Sequence, residues 1–312
     1  MSIKTLAKNL LPPVVINAAN YATGRNQQRS NEKILQEYVQ NGRVPWSSGY
    51  DLYKVELLTR TLSDEGLLER FRCGESLSPN YGFGIDERCV EYPWLLANLP
   101  TSAKYLLDAG SVLNQRFILN HSIFENKKLH ILTLAPEENC FWQKGVSYLY
   151  DDLRDIPIRN NYYDAIICLS TLEHIGCDNT LYTPDETYQE NCPEDFVLTM
   201  KELHRVLKPG GSLFLSVPFG IYRHHGTFQQ FDRELLSRAV ETFGCASEVN
   251  ETFYRHTTNG WQVATAEDCA ECEYVEWLAK VWQDQQWPKS IPVEPDLAAA
   301  ARAVACVRLV KG

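Results

Sequence analysis

From Lys104 onward the chain alternates short, continuous apolar runs with helical stretches, and this alternation constrains its fold more than any other feature. The runs are Tyr105–Asp108, Leu129–Leu134, Val146–Tyr150, Ala165–Leu169, Ser212–Val217 and Ala303–Val310. Unbroken apolar segments of this length suit strands covered on both faces, as in a parallel sheet. Strands alternating with helices specify a doubly wound, Rossmann-like α/β fold. Ligands of such sheets bind beyond the carboxyl ends of the strands, where the strand order reverses. The residues that follow each run are therefore the candidates for function.

After the first run come Asp108, Ala109, Gly110 and Ser111. Gly110 either lets the backbone approach a ligand or simply makes a turn. After the third run, Asp151 and Asp152 form either an acceptor site for an adenine amino group or ribose, or a solvated turn. Leu169 closes the fourth run, and Ser170, Thr171, Glu173 and His174 follow it. A helix is expected over 195–207, stopped by Lys208-Pro-Gly-Gly211. The fifth run ends in Pro218 and a loop carrying Tyr222, Arg223, His224, His225 and Phe228.

Two long segments, Asn161–Gly176 and Glu202–Pro218, strongly resemble the type 11 group of class I S-adenosylmethionine-dependent methyltransferases. In that group an aromatic-Asp pair opens the fourth strand, Leu-Glu-His follows it, and Arg-Val-Leu-Lys-Pro-Gly-Gly precedes the fifth. Asp151–Pro157 looks like the family's third acidic motif, and the likeness is good over roughly 100–220. It implies a seven-stranded, mostly parallel sheet with residues 303–310 inserted antiparallel. It implies S-adenosyl-L-methionine as cofactor, held by Asp108, Gly110, Ser111, Thr133, Asp152, Leu153 and Leu169. Two departures stand out. Val112 and Asn114 occupy positions that are glycine in the family's first motif, and Thr133 stands where an acid usually holds the ribose hydroxyls. A threonine cannot act as a bidentate carboxylate, which leaves Glu137 or Glu138 to reach in.

Methyl transfer from a sulfonium depends mainly on in-line positioning. A hydroxyl acceptor also needs a base, for which histidine is the usual choice. His174, His224 and His225 follow central strands, and His174 and His225 are the candidate catalytic residues. No metal is expected, because Ser170 stands where related magnesium-binding segments carry an acid. Arg88 either pairs with the methionyl carboxylate or forms an ion pair with Glu91 on a helix over 86–98 capped by Asp86. The degraded first motif leaves a catalytically inactive binding or scaffold protein as the alternative. A nicotinamide-dependent oxidoreductase is disfavoured, since no Gly-x-Gly-x-x-Gly follows any strand.

The net charge of −10 argues against a nucleic-acid partner, leaving a small-molecule or glycan acceptor. Residues 1–60 nevertheless carry 8 basic and 4 acidic side chains. They belong to an expected basic arm and helical extension over 1–85, ahead of the methyltransferase domain at 86–312. The apolar stretch Leu10–Ala19 is broken by Pro12-Pro13 and is too short to span a bilayer. Ten scattered cysteines fit a reducing cytoplasm. Cys269 and Cys272 have metal-ligand spacing but no partner pair, and a plain helix is expected over 266–282.

Overall fold

The computed structural model describes residues 29–276 and 293–312. The basic arm before residue 29 and the end of the expected 266–282 helix lie outside the described residues. The chain divides into two compact units, 1–56 and 57–312. In the first, helix α1 (29–40) is followed by a cluster in which Tyr38 meets Tyr50 and Tyr53 and Trp46 meets Tyr50. Helix α2 (Tyr50–Leu62) runs across the boundary. The second unit starts well before residue 86, because helix α3 (Glu65–Cys73) packs Phe71 against Tyr81 and Tyr254.

Helix α4 (Arg88–Asn98) precedes the sheet, and a one-turn helix, α5 (Arg116–Leu119), follows the first strand. Asp86 does not occupy its cap position, but its carboxylate accepts from the Arg88 amide at 3.2 Å. The strands expected from the apolar runs form as β1 (Tyr105–Ala109), β2 (Lys128–Thr133), β3 (Val146–Tyr150), β4 (Tyr163–Leu169) and β5 (Leu207–Pro218). After β5 a two-residue ribbon pairs β6 (Arg223–His224) with β7 (Gln229–Gln230). Then come β8 (Ala246–Thr257), β9 (Gly260–Ala264) and β10 (Ala303–Lys311). The sheet order is β3-β2-β1-β4-β5-β10-β8-β9. Strands β1 to β5 are parallel, and β10 runs antiparallel between β5 and β8. The order reverses between β1 and β4, so the loops after these two strands face one another.

The sheet has eight strands rather than seven. The hairpin β8–β9 escapes a reading by apolar runs, because residues 247–251 are exposed and polar apart from Val249. The 266–282 helix does not extend as expected. Helix α8 (Ala266–Cys269) is one turn, begun by a Thr265–Asp268 capping box, and non-helical chain follows over 271–276. Cys269 and Cys272 are buried there, and no group of metal-ligating side chains exists among the described residues.

Helix α6 (Phe196–Val206) packs against α7 (Arg233–Phe243) and feeds β5. The Lys208–Gly211 segment forms an irregularity in β5, since Tyr163 pairs with Leu207 and Ala165 with Ser212. Asp164 ties this corner together. Its Oδ2 accepts from the amides of Lys104 and Tyr105, both at 2.9 Å, and the Lys208 ammonium donates to Oδ1. The aromatic-Asp pair at the start of β4 thus fixes β4 against the entry to β1.

Candidate active site

A cavity of about 250 Å³ lies beyond the carboxyl ends of β1 to β4, at the reversal of strand order. Of the expected cofactor residues, Gly110, Thr133, Asp152 and Leu153 line it. Asp108, Ser111 and Leu169 do not. Asp108 is completely buried behind the first loop, where Oδ1 accepts from the Val112 amide at 3.1 Å and Oδ2 from the Leu113 amide at 2.7 Å. Burial pushes its carboxyl up to about 7, against the pull of those two N–H groups. Asp108 therefore shapes the loop. Ser111 is also buried, and its Oγ finds no partner among the described residues. Leu169 contributes its carbonyl, which accepts from Thr171 Oγ1 at 3.0 Å.

Gly110 has a φ of +113° and a backbone bond from its N–H to Leu132 O. A Cβ there would lie 2.2 Å from Thr171 Oγ1, so the loops after β1 and β4 touch at this glycine. Asn114, in a position that is glycine in the resembled family, closes the other end of the first loop. It donates to Glu137 Oε2 at 2.7 Å and to Asn139 O, and accepts from the Tyr148 hydroxyl. Glu137 lines the cavity close behind Thr133, which supplies a carboxylate where β2 itself ends in a hydroxyl.

At one end of the cavity, Arg88 donates to Glu91 Oε2 at 2.7 Å. Glu91 is fully buried, and its Oε1 accepts from Ser170 Oγ and Ser216 Oγ, both at 2.6 Å. The expected Arg88–Glu91 pair is therefore a buried anchor, and it holds a guanidinium at the wall. At the other end, Asp151, Asp152, Arg154, Tyr188 and Glu190 come together. Arg154 bonds to the carboxylates of Asp152, Glu190 and Asp195, and Asp152 first, then Glu190, raise its already high basicity against the opposing effect of burial.

His174 lines the cavity and bonds through Nδ1 to Thr227 O at 2.8 Å. A carbonyl can only accept, so Nδ1 carries the proton and Nε2 keeps its lone pair. Burial lowers the imidazole pKa to about 4, with the Thr227 bond opposing. Glu173 beside it is a buried acid pushed well above the usual carboxylate range by desolvation. His225, expected to join His174, lies away from the cavity wall. It stacks on Phe228 at 4.5 Å and bonds through Nδ1 to Glu276 at 2.8 Å. His224 Nε2 sits 3.6 Å from Cys177 Sγ.

Asn179, Tyr182, Tyr188 and Glu190 also line the cavity, and no sequence pattern pointed to them. They belong to the irregular segment 177–195, between the loop after β4 and helix α6. Its pinning is tertiary. The Cys192 amide donates to Gly176 O at 2.6 Å, and Arg154 holds both Glu190 and Asp195.

Residues 130–215 match the family model described as a methyltransferase domain. Among solved structures, the chain is similar to 1,6-didemethyltoxoflavin-N1-methyltransferase of Burkholderia thailandensis, solved with 1,6-didemethyltoxoflavin and S-adenosylhomocysteine. Identity is 14%, covering 71% of this chain and 77% of that one, at a TM-score of 0.41. A sarcosine dimethylglycine methyltransferase assignment from Galdieria sulphuraria matches at 14% identity, 71% and 85% coverage, and a TM-score of 0.42. The N-methyltransferase NodS from Bradyrhizobium japonicum, bound to S-adenosyl-L-homocysteine, matches at 10% identity, 82% and 98% coverage, and a TM-score of 0.36. No curated protein sequence matches the chain.

Proposed function

We propose that the chain is a class I methyltransferase that transfers a methyl group from S-adenosyl-L-methionine to a hydroxyl of a small-molecule or glycan acceptor, a reading supported by the methyltransferase-domain match over 130–215 and by the sheet order. The observation that carries the reading is His174: its proton is fixed on Nδ1, and it lines a cavity at the switch point of the sheet. The cavity residues fit the cofactor. Gly110 keeps the wall free of a side chain, Arg88 offers a guanidinium to a carboxylate, and Glu190 Oε2 is a buried acceptor with no partner among the described residues.

Gly110, Thr133, Asp152 and Leu153 would line the cofactor's seat, with Glu137 beside Thr133 for the ribose hydroxyls. Asp108 and Ser111 would act through the shape of the first loop, and Leu169 through its carbonyl. When bound, the cofactor supplies an electrophilic methyl group on a sulfonium. His174 Nε2 would accept the acceptor's hydroxyl proton, and the low pKa keeps the imidazole neutral at pH 7. Tyr182, 5.5 Å from the His174 ring centroid, would wall the acceptor side. Among the described residues no helix is long and apolar enough to cross a membrane. All ten cysteines are free, and on that ground we place the reaction in a reducing cytoplasm.

Calorimetric titration with S-adenosylhomocysteine tests the cofactor reading, and binding is expected. A folded protein that takes up neither this product nor S-adenosylmethionine would instead be a methyltransferase fold serving as a binding or scaffold protein. His174→Gln tests the base. Turnover on a hydroxyl acceptor should drop by ~10²–10⁴-fold while product affinity stays nearly unchanged. Wild-type turnover in that variant would remove His174 from the mechanism.

A further inference from the structure

Three carboxylates line the end of the cavity formed after β3. Asp151 is exposed, and its Oδ1 accepts from the Asp152 amide at 2.9 Å. The structure treats the two more buried ones, Asp152 and Glu190, differently. Asp152 has no oxygen to spare. Its Oδ1 accepts from the Arg154 amide at 2.8 Å and from Arg154 Nε at 3.0 Å, and its Oδ2 accepts from Nε at 3.1 Å and Nη2 at 2.6 Å. These bonds occupy nearly all the acceptor capacity of one carboxylate. Glu190 is half spent. Its Oε1 accepts from Arg154 Nη2 at 2.8 Å, but Oε2 is sealed from solvent without a partner among the described residues. Both residues line the cavity. A buried carboxylate oxygen left unbonded is costly. The nearby cation cannot relieve it, since Arg154 Nη1 is already committed to Asp195 at 3.0 Å.

We propose that Glu190 Oε2 is the acceptor for the exocyclic amino group of the cofactor's adenine, and that Asp152 serves to hold Arg154 rather than to read the base. This rests on the cofactor reading of the same cavity. Glu190 comes from segment 177–195, so base recognition depends on how that segment is pressed onto the loop after β4. Gly176 makes the close approach. Its φ is +74°, and a Cβ there would lie 1.9 Å from Cys192 O, two residues beyond Glu190. Glu190 is a positioning and specificity residue, since it would touch the base and not the reacting methyl group. A carboxylate oxygen can only accept. It rewards the amino group of adenine and repels the carbonyl oxygen that hypoxanthine carries at the same place.

The test is calorimetric titration of the full chain with two probes, S-adenosylhomocysteine and its 6-oxo counterpart S-inosylhomocysteine. The wild-type protein should prefer the adenosyl probe by about 10²-fold. Glu190→Gln keeps the side-chain volume but presents either an oxygen or an amide N–H, so the preference should shrink to within about threefold, with the inosyl probe gaining affinity. Glu190→Ala should weaken the adenosyl probe by about 10-fold or more. Asp152→Asn should weaken both probes alike and leave the preference standing. Thermal unfolding of each variant checks that the Arg154 cluster still folds, and the probe ratio is read within each folded variant. A wild-type preference that survives in Glu190→Gln, or one lost only in Asp152→Asn, overturns the assignment while leaving the cofactor reading intact. Equal affinity of the wild-type protein for the two probes overturns it as well. Failure of the wild-type protein to bind either probe overturns the cofactor reading and this inference with it.

Discussion

Replacing Gly110 by alanine should damage folding before it touches chemistry. At φ +113° the backbone is in a region that L residues rarely adopt, which costs about 1–3 kcal/mol. The new methyl carbon would also fall 2.2 Å from Thr171 Oγ1, 2.4 Å from Cγ2 and 2.8 Å from Cβ. Thr171 cannot turn aside without losing the bond from its hydroxyl to Leu169 O. Overpacking of this kind costs a further ~1–3 kcal/mol. The sum, about 2–6 kcal/mol, is a large share of the 5–15 kcal/mol typical of a domain. The two contributions separate in a double-mutant cycle with Thr171→Gly, which removes the collision but not the backbone strain. Urea unfolding of the four proteins should give a favourable coupling of about 1–3 kcal/mol between the two substitutions. A Gly110→Ala protein within about 0.5 kcal/mol of wild type, or a coupling near zero, would refute the close approach of the loops after β1 and β4. Leucine at the same position should unfold the domain rather than merely occupy the cofactor's volume.

Acid should weaken the fold partly through histidines kept neutral by burial. His174 and His256 are both lowered to about 4, whereas an unfolded chain protonates them near 6.5. Their stabilising contribution is therefore complete above pH ~6.5 and is lost as pH falls toward ~4, by up to about 3 kcal/mol each. Denaturant midpoints at pH 7.5 and 4.5 should differ less in a His174→Gln, His256→Gln double variant than in wild type, and equal differences would contradict this. Asp164→Ala should cost about 1–3 kcal/mol, because two backbone N–H groups lose their acceptor. Lys208→Met, which removes a half-exposed ion pair, should cost under about 1 kcal/mol. The reverse ranking in chemical denaturation would discount the clamp. Arg154→Met leaves Asp152, Glu190 and Asp195 without their shared cation. It should lower both thermal stability and S-adenosylhomocysteine affinity, with added salt restoring part of the stability, and unchanged melting would count against the cluster.

The sheet was legible in the sequence because its central strands are buried on both faces. Leu106, Leu107, Ile166, Ile167, Leu213 and Leu215 are fully covered, and continuous apolar runs are what such burial requires. The antiparallel insertion of 303–310 was legible only through family resemblance, since an apolar run carries no direction. Strands β8 and β9 were missed because half of β8 faces solvent with polar side chains, and the period of its pattern is blurred by exposure. The helix expected over 266–282 is one turn, begun by the capping box at Thr265, because the chain beyond it is held by distant partners instead: Cys272 O accepts from the Ile221 amide and the Gln230 side chain, and the Val275 amide donates to Ala300 O.

The sequence alone determined the layered α/β architecture and the loops that meet at its switch point, because hydrophobic period and chain order are local properties written residue by residue. Gly110, Thr133, Asp152 and Leu153 reach the cavity for that reason. Tertiary structure decided which polar atoms within those loops remain free for a ligand. Asp108 turned inward to bind the Val112 and Leu113 amides, Asp152 was consumed by Arg154, and Glu190 arrived from 38 positions further along the chain with one oxygen unbonded. His174 and His225 looked equivalent as histidines following adjacent strands, yet only His174 came to line the cavity. A side chain's chemistry can be read from its identity, but whether that chemistry is already satisfied depends on neighbours distant in sequence, and only the folded chain assembles them.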